Sequence, residues 1–492
     1  VVDRLPLWAS GLLALLAGAG ATLAFAPVGW FLAAPLALAL WFALLVGASW
    51  RRAAVTGYAF GLGFFGVGVT WIFNSLLVFG QAPLVVASLI TVLFVLVMAL
   101  YPAVLSGLAA RFLALERPAG LIALAAGVVL MELARSWLFS GFPWLLFGHT
   151  VLQTPLQGWL PLGGELAAGL VVALLAAGLV LVLQRGRRWS GAGLVAGLFA
   201  LSLPLTLVEW TQPEGESLRV AMVQGNIEQA RKWAPDGIDH SLEVYETLTR
   251  AATGADLIVW PETAIPALLA EVRGDLGRTA LELQETGSEL LVGIFDHDPE
   301  TRSVFNSVVH TQSGAGYNKR QLVPFGEYIP LRDRLTWLDR LLQIPMSDLS
   351  RGGDDGQMDV AGTRAGISIC YESAYARHMR APLPEARFLV NVSNDAWFGD
   401  SLAPAQHLQI ARVRAVETGR PMVRATNTGI SALIAADGRL LERSGLFSRE
   451  VVQGTLEPRT GMTPAAALGE GPALLAALVL VVIGAAVRRR TA

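Results

Sequence analysis

Leu257-Ile258-Val259-Trp260-Pro261-Glu262-Thr263 places an apolar, β-favouring run before a proline and then a single carboxylate. A short run of this kind, opened by Asp256 and closed by Pro261, reads as a buried strand over Asp256–Trp260. Proline ends the ladder, so Glu262 falls at the carboxyl end of the strand, where α/β folds place their chemistry. The same construction recurs downstream. The strand candidate Gly366–Cys370 runs into Tyr371-Glu372-Ser373, and Phe388–Val392 carries Asn391 and leads to Asn394 and Asp395. Leu218–Val223, Leu290–Phe295, Val304–His310 and Gly429–Ala435 are further strands, while mixed-polarity stretches near 239–253, 271–286 and 403–419 read as helices. Alternation of this sort over residues 218–459 predicts an α/β domain with buried strands.

Three chemistry-bearing residues fall in separate segments of that domain: Glu262, Lys319 in the turn Tyr317-Asn318-Lys319-Arg320, and Cys370. Cys370 is the only cysteine of 492 residues, so no internal disulfide forms, and no Cys/His cluster has zinc-site spacing. A lone cysteine is usually a small buried apolar residue, and a lone lysine a solvated charge. Against that stands the choice of Lys at 319 in a chain with 35 Arg and only two Lys, Lys232 and Lys319. A thiol nucleophile needs a base and a cation beside it, because the thiolate attacks and a free thiol is little ionised at neutral pH.

Outside the domain the solvent changes. Residues 1–209 hold 14 charged side chains and residues 210–471 hold 59, so the first stretch is read as lipid-embedded and the second as water-exposed. Eight apolar runs are expected to span a bilayer: about 7–25, 28–49, 54–78, 83–110, 119–138, 164–184, 191–208 and 472–487. Arg4, Arg51 with Arg52, Arg111 with Arg117, and Arg185, Arg187 and Arg188 fall in alternate loops, and Arg488–Arg490 close the series. This alternation is the positive-inside pattern: both termini cytoplasmic, residues 210–471 on the outer side. The polar or Pro/Gly-rich runs Thr211–Glu216 and Glu457–Gly471 read as tethers, dividing the chain into 1–209, 210–471 and 472–492. The outer part carries a net charge of −9, which argues against nucleic acid as a partner.

Within the bundle, Glu132 and Arg135 stand three residues apart, at a spacing that allows pairing on one helix face. Such a pair is either functional or sits near the interface and orients its helix. The uncharged aromatic loop Ser140–His149 is expected to be re-entrant or interfacial. No polar series or internal repeat points to an ion path, which weighs against a transporter.

Trp260-Pro261-Glu262-Thr263, Asn318-Lys319 with Val323-Pro324-Phe325-Gly326-Glu327, and Cys370-Tyr371-Glu372-Ser373 resemble the three signature segments of the nitrilase (carbon–nitrogen hydrolase) superfamily. With its apolar spans, Phe142-Pro143-Trp144, Gln224-Gly225-Asn226, Lys232-Trp233 and Asn394-Asp395-Ala396-Trp397-Phe398-Gly399, the whole chain is similar to the membrane-bound apolipoprotein N-acyltransferase family. The resemblance implies an α-β-β-α sandwich carrying a triad: Glu262 as general base, Lys319 as oxyanion cation and Cys370 as nucleophile. It further implies supporting roles for Asn306, Glu327, Tyr371 and Glu372, and makes Trp233, Trp397 and Phe398 candidates for the acyl-chain entrance. Asp395 stands where some relatives carry Glu.

The implied activity is acyl transfer without cofactor or metal. A phospholipid, phosphatidylethanolamine foremost, would be the donor, and the acceptor would be the α-amine of a diacylglyceryl apolipoprotein. The implied setting is a monomer in the bacterial inner membrane with its catalytic domain periplasmic. Two rivals stand beside it: a membrane-tethered amidase using the same triad to pass the acyl group to water, and a transporter or lipid-binding scaffold with a degenerate domain, against which the intact triad weighs.

Overall fold

Two six-stranded sheets lie face to face in the carboxyl-terminal half. The computed structural model describes residues 5–252, 254–329 and 348–489. One sheet runs, edge to edge, Glu450–Leu456, Leu218–Gln224, Leu257–Val259, Glu289–Asp298, Ser303–His310 and Gly316–Asn318. The other runs Leu440–Arg443, Ala432–Ile434, Met422–Thr426, Phe388–Ser393, Thr363–Ile369 and Gln357–Val360. Each has three parallel strands at its heart, 218–224 with 257–259 and 289–298, and 363–369 with 388–393 and 422–426. The parallel strands are buried on both faces, so they read as continuous apolar runs.

Val220, Val259, Leu291, Ile367, Val390 and Val423 fill the space between the sheets. Gly237–Ala251 and Leu269–Glu285 cover the outer face of the first sheet, and Ala403–Thr418 covers the second. The α-β-β-α sandwich is therefore present. Helix positions follow expectation within a few residues. The strand Met422–Thr426 was not foreseen, and the expected strand Gly429–Ala435 contracts to Ala432–Ile434.

The amino-terminal half is helical, but eight full spans are not found. Among the described residues, six helices are long and apolar enough to cross a membrane: Leu7–Ala24, Leu84–Phe112, Pro118–Ser140, Trp159–Leu183, Arg188–Leu205 and Gly471–Arg489. A seventh, Trp50–Gly68 with Trp71–Phe79, is bent by 51° at its break. The run expected over 28–49 forms only Ala33–Leu45, because Gly29 (φ 67°) and Gly47 (φ 75°) turn the chain on either side of it. Thirteen residues rise about 20 Å, short of the hydrocarbon thickness. Arg4 and Arg490, two of the orienting charges, lie outside the described residues.

Neither tether is loose. Thr211–Pro213 pairs antiparallel with Arg459–Gly461, and Pro464–Leu468 is helical. The two ends of the α/β domain thus leave side by side. Its seam with the bundle is built on buried charge. Glu165, just past a break at Gly163 and Gly164 in its helix, pairs with Arg414 and lies 2.6 Å from His149 Nε2. Arg414 also holds Glu417 at 2.6 Å, and Glu417 accepts the Glu165 N–H at 2.5 Å. Gly148 is required here: a Cβ would stand 1.9 Å from the Glu165 carbonyl oxygen.

The loop after Pro118–Ser140 is tied into the same seam, with Pro143 to Thr150 buried. Glu132 and Arg135 bind this loop instead of each other. Arg135 donates to the carbonyls of Phe142 (2.8 Å), Trp144 (2.5 Å) and Leu145 (3.4 Å), and Glu132 accepts the Phe147 N–H at 2.8 Å. Both charges therefore help to satisfy the backbone of a buried segment.

Candidate active site

Glu262, Lys319 and Cys370 meet at strand ends of the two sheets, the first and last after parallel strands and Lys319 after an antiparallel edge strand. Glu262 lies three residues beyond Leu257–Val259, Lys319 directly after Gly316–Asn318, and Cys370 directly after Thr363–Ile369. Lys319 Nζ donates to Glu262 Oε1 at 3.0 Å and to Glu327 Oε1 at 2.8 Å, and its side chain is 1% exposed. Asn306 Nδ2 bridges the same two carboxylates, at 2.7 Å and 3.0 Å. Glu262 Oε2 accepts the Asn394 backbone N–H at 2.8 Å, and the charge of this carboxylate acts on the Cys370 thiol.

Electrostatics divide the roles. Burial alone would raise the Glu262 carboxyl, but the Lys319 charge and the bonds from Lys319 and Asn306 outweigh it, and its pKa lies below the ordinary value. Burial likewise opposes the Lys319 ammonium, yet Glu262 and Glu327 hold it well above the usual lysine range. The Cys370 thiol is pushed up by burial and by the Glu262 charge, with Lys319 pulling the other way. At rest the site is an ion pair beside a neutral thiol.

Cys370 does not continue its strand. It opens the 3-10 turn Cys370–Ala374 at φ 52°, a left-handed conformation that strains a non-glycine residue. Glu372 explains how that turn is held against the lysine turn. It is fully buried and accepts the N–H groups of Ile369 (2.8 Å), Arg320 (2.7 Å) and Gln321 (3.1 Å), and the Tyr317 hydroxyl at 2.8 Å. One carboxylate thereby ties the cysteine segment to the lysine segment. Glu327 does the same for the lysine loop, accepting the Val323 N–H at 2.8 Å.

The aromatic candidates separate. Trp397 packs on Phe79 of the bundle (5.1 Å between rings), and its carbonyl accepts the Ser75 hydroxyl at 2.7 Å. Phe398 meets Trp71 edge-on at 4.9 Å and Trp144 at 6.0 Å. Tyr371 lies along Trp144 at 6.3 Å. Trp233 stands elsewhere, 38% exposed, with its ring 6.4 Å from Phe295. Its neighbour Lys232 is no surface lysine. Its side chain is buried, its Nζ has no hydrogen-bond partner among the described residues, and burial lowers its pKa to about 8. Sequence reasoning passed over His407 and Arg424, both fully buried under Cys370. A histidine inside a helix and an arginine inside a strand were the available signals.

Among the described residues no group of His, Cys, Asp and Glu is arranged to hold a metal ion. Residues 17–178 match the model of the apolipoprotein N-acyltransferase N-terminal domain, and residues 219–464 match that of carbon-nitrogen hydrolase. The chain is 41% identical to an apolipoprotein N-acyltransferase of Methylococcus capsulatus, over 98% of this chain and 97% of that one. It is 38% identical to one of Pseudomonas syringae, over 93% of each. A solved nitrilase-superfamily member from Saccharomyces cerevisiae aligns with 50% of this chain and 91% of its own, at 17% identity and a TM-score of 0.38. With two family models in tandem and near full-length identity to these enzymes, the chain belongs to the apolipoprotein N-acyltransferase family, the acyltransferases of lipoprotein maturation.

Proposed function

We propose that the protein moves an acyl chain from the sn-1 ester of a membrane phospholipid, phosphatidylethanolamine foremost, through a Cys370 thioester to an S-diacylglyceryl-cysteine α-amine. The observation that carries this reading is the chain's only thiol facing the charge of a Glu262 carboxylate that Lys319 Nζ holds at 3.0 Å. Glu262 takes the thiol proton as Sγ attacks the ester carbonyl, so no free thiolate accumulates in the resting site. Lys319 faces the oxyanion that develops. The sulfur–acyl bond forms, the ester C–O bond breaks, and the lysophospholipid leaves with the proton returned by Glu262. The acceptor amine then attacks the thioester, Glu262 receives its proton, and Cys370 leaves as thiol with the amide formed. The net exchange of an ester for an amide is downhill, so transfer through the more reactive thioester needs no ATP. Asn306, Glu327, Tyr371 and Glu372 support the triad, and Trp233, Trp397 and Phe398 line the approach of the chains.

The setting we propose is the inner membrane, with residues 210–471 periplasmic and both ends cytoplasmic, as the loop arginines favour. Purified protein in mixed micelles with acyl-labelled phosphatidylethanolamine and a diacylglyceryl lipopeptide tests the reading. Label is expected in amide linkage on the lipopeptide. Label released chiefly as free fatty acid would favour the membrane-tethered hydrolase, with water as acceptor.

A further inference from the structure

Cys370 sits at φ 52°, and such a backbone persists only where its surroundings over-determine it. The amide side of the turn is accounted for by Glu372, which accepts the Ile369 N–H. The Cys370 carbonyl has its own set of donors, and none of them belongs to the triad. Ser373 Oγ reaches it at 3.0 Å, Asn391 Nδ2 at 3.4 Å, and His407 Nε2 at 3.3 Å. A carbonyl oxygen only accepts, so the histidine that bonds it carries its hydrogen on Nε2. His407 Nε2 also lies 3.1 Å from Ser373 Oγ.

The ring is fixed from every side. Arg424 Nη2 donates to Nδ1 at 2.9 Å and to Asp395 Oδ2 at 3.0 Å, so Asp395 holds the arginine that holds the ring. Arg424 also bonds the Asn391 side chain, which itself reaches the Cys370 carbonyl. Trp144 covers the ring at 5.6 Å and donates its indole N–H to Gln406 at 2.7 Å, while Phe398 meets the ring edge-on at 6.0 Å. His407, Asp395 and Arg424 are all 1% exposed or less. A network this dry with one end on the nucleophile's carbonyl is costly to assemble for packing alone.

We propose that His407 is a positioning residue: its Nε2–H, oriented by Arg424 that Asp395 holds in place, fixes the Cys370 carbonyl and so aims the thiol at the donor ester. The inference rests on Cys370 being the nucleophile. It also assigns a task to Trp144, which extends from the bundle to cover the histidine, and a reason for the carboxylate at 395.

The test is single-turnover acylation of Cys370 by phosphatidylethanolamine, followed by mass, with donor concentration varied. His407→Phe keeps the ring and loses the donor; His407→Gln keeps an N–H at a similar reach. Ser373→Ala removes a second donor from the same carbonyl and adds no volume. Expected is a maximal acylation rate reduced at least about tenfold in His407→Phe, and about threefold in Ser373→Ala, with half-saturating donor unchanged. His407→Gln is expected to recover most of the loss. Equal losses in the Phe and Gln variants, an effect confined to half-saturation, or wild-type rates in His407→Phe and Ser373→Ala would overturn it. If His407→Phe does not fold, Ser373→Ala and His407→Gln decide by the same criteria. Wild-type protein that forms no Cys370 adduct would instead remove the nucleophile assignment beneath it.

Discussion

Lys319 is packed between two carboxylates with almost no exposed surface, and that geometry decides what a conservative change does. In Lys319→Arg the charge is kept, but a planar guanidinium does not fit the place of a compact ammonium. Acyl-enzyme formation should fall at least about 100-fold, the usual loss for one oxyanion donor. Single-turnover acylation measures it, and an unchanged rate would mean that 319 needs only positive charge. Lys232→Arg is not the neutral control that a surface lysine would offer, since Lys232 is buried without a partner. Cys370 gives a second prediction. With its thiol pushed up by burial and by Glu262, it stays protonated near pH 7. Below its pKa the thiolate fraction grows tenfold per pH unit, so alkylation by iodoacetamide without lipid should rise from about pH 7 to about pH 9 with no plateau. A plateau below about pH 8 would mean a preformed thiolate.

At the scale of elements, the triad is set by how three loops are fastened together. Glu372 accepts from both the cysteine and the lysine segments, so Glu372→Gln places an amide N–H against donors it cannot satisfy. A stability loss of about 1–3 kcal/mol is expected, with acyl-enzyme formation slowed more than melting alone explains. Thermal melts in detergent beside single-turnover rates check this, and loss of stability with a normal rate would contradict it. The strand ends carrying Glu262 and Cys370 were legible because buried parallel strands are apolar and stop abruptly at polar residues. Met422–Thr426 was not, because Arg424 interrupts its pattern, and only the fold reveals Asp395 as its partner. How the loop Ser140–His149 is fastened was not legible either. Its aromatic residues suit a membrane interface equally well, and nothing local says that Arg135 and Glu132 hold it beneath the α/β domain.

For the whole molecule, composition separated a lipid-embedded part from a water-exposed one, and the positions of the apolar segments were legible. Whether each became a full span was not, since glycines shorten one to Ala33–Leu45 and a break bends another by 51°. Orientation rests on the loop arginines, and it predicts that a reporter fused after Ala492 reads as cytoplasmic while one inserted near Asp355 reads as external. The opposite pattern would overturn it. The docked seam of Glu165, Arg414 and Glu417 fixes the α/β domain on the bundle, a placement that the proposed transfer from a lipid ester to a lipoprotein amine through one cysteine requires. The most direct test of that sequence is the intact mass of the protein after incubation with phosphatidylethanolamine. One acyl group should be added, at Cys370. It should persist in water, clear on addition of a diacylglyceryl lipopeptide, and be missing from Cys370→Ser. No added mass in the wild type, or an adduct that water removes as fast as the lipopeptide does, would contradict transfer through a Cys370 thioester.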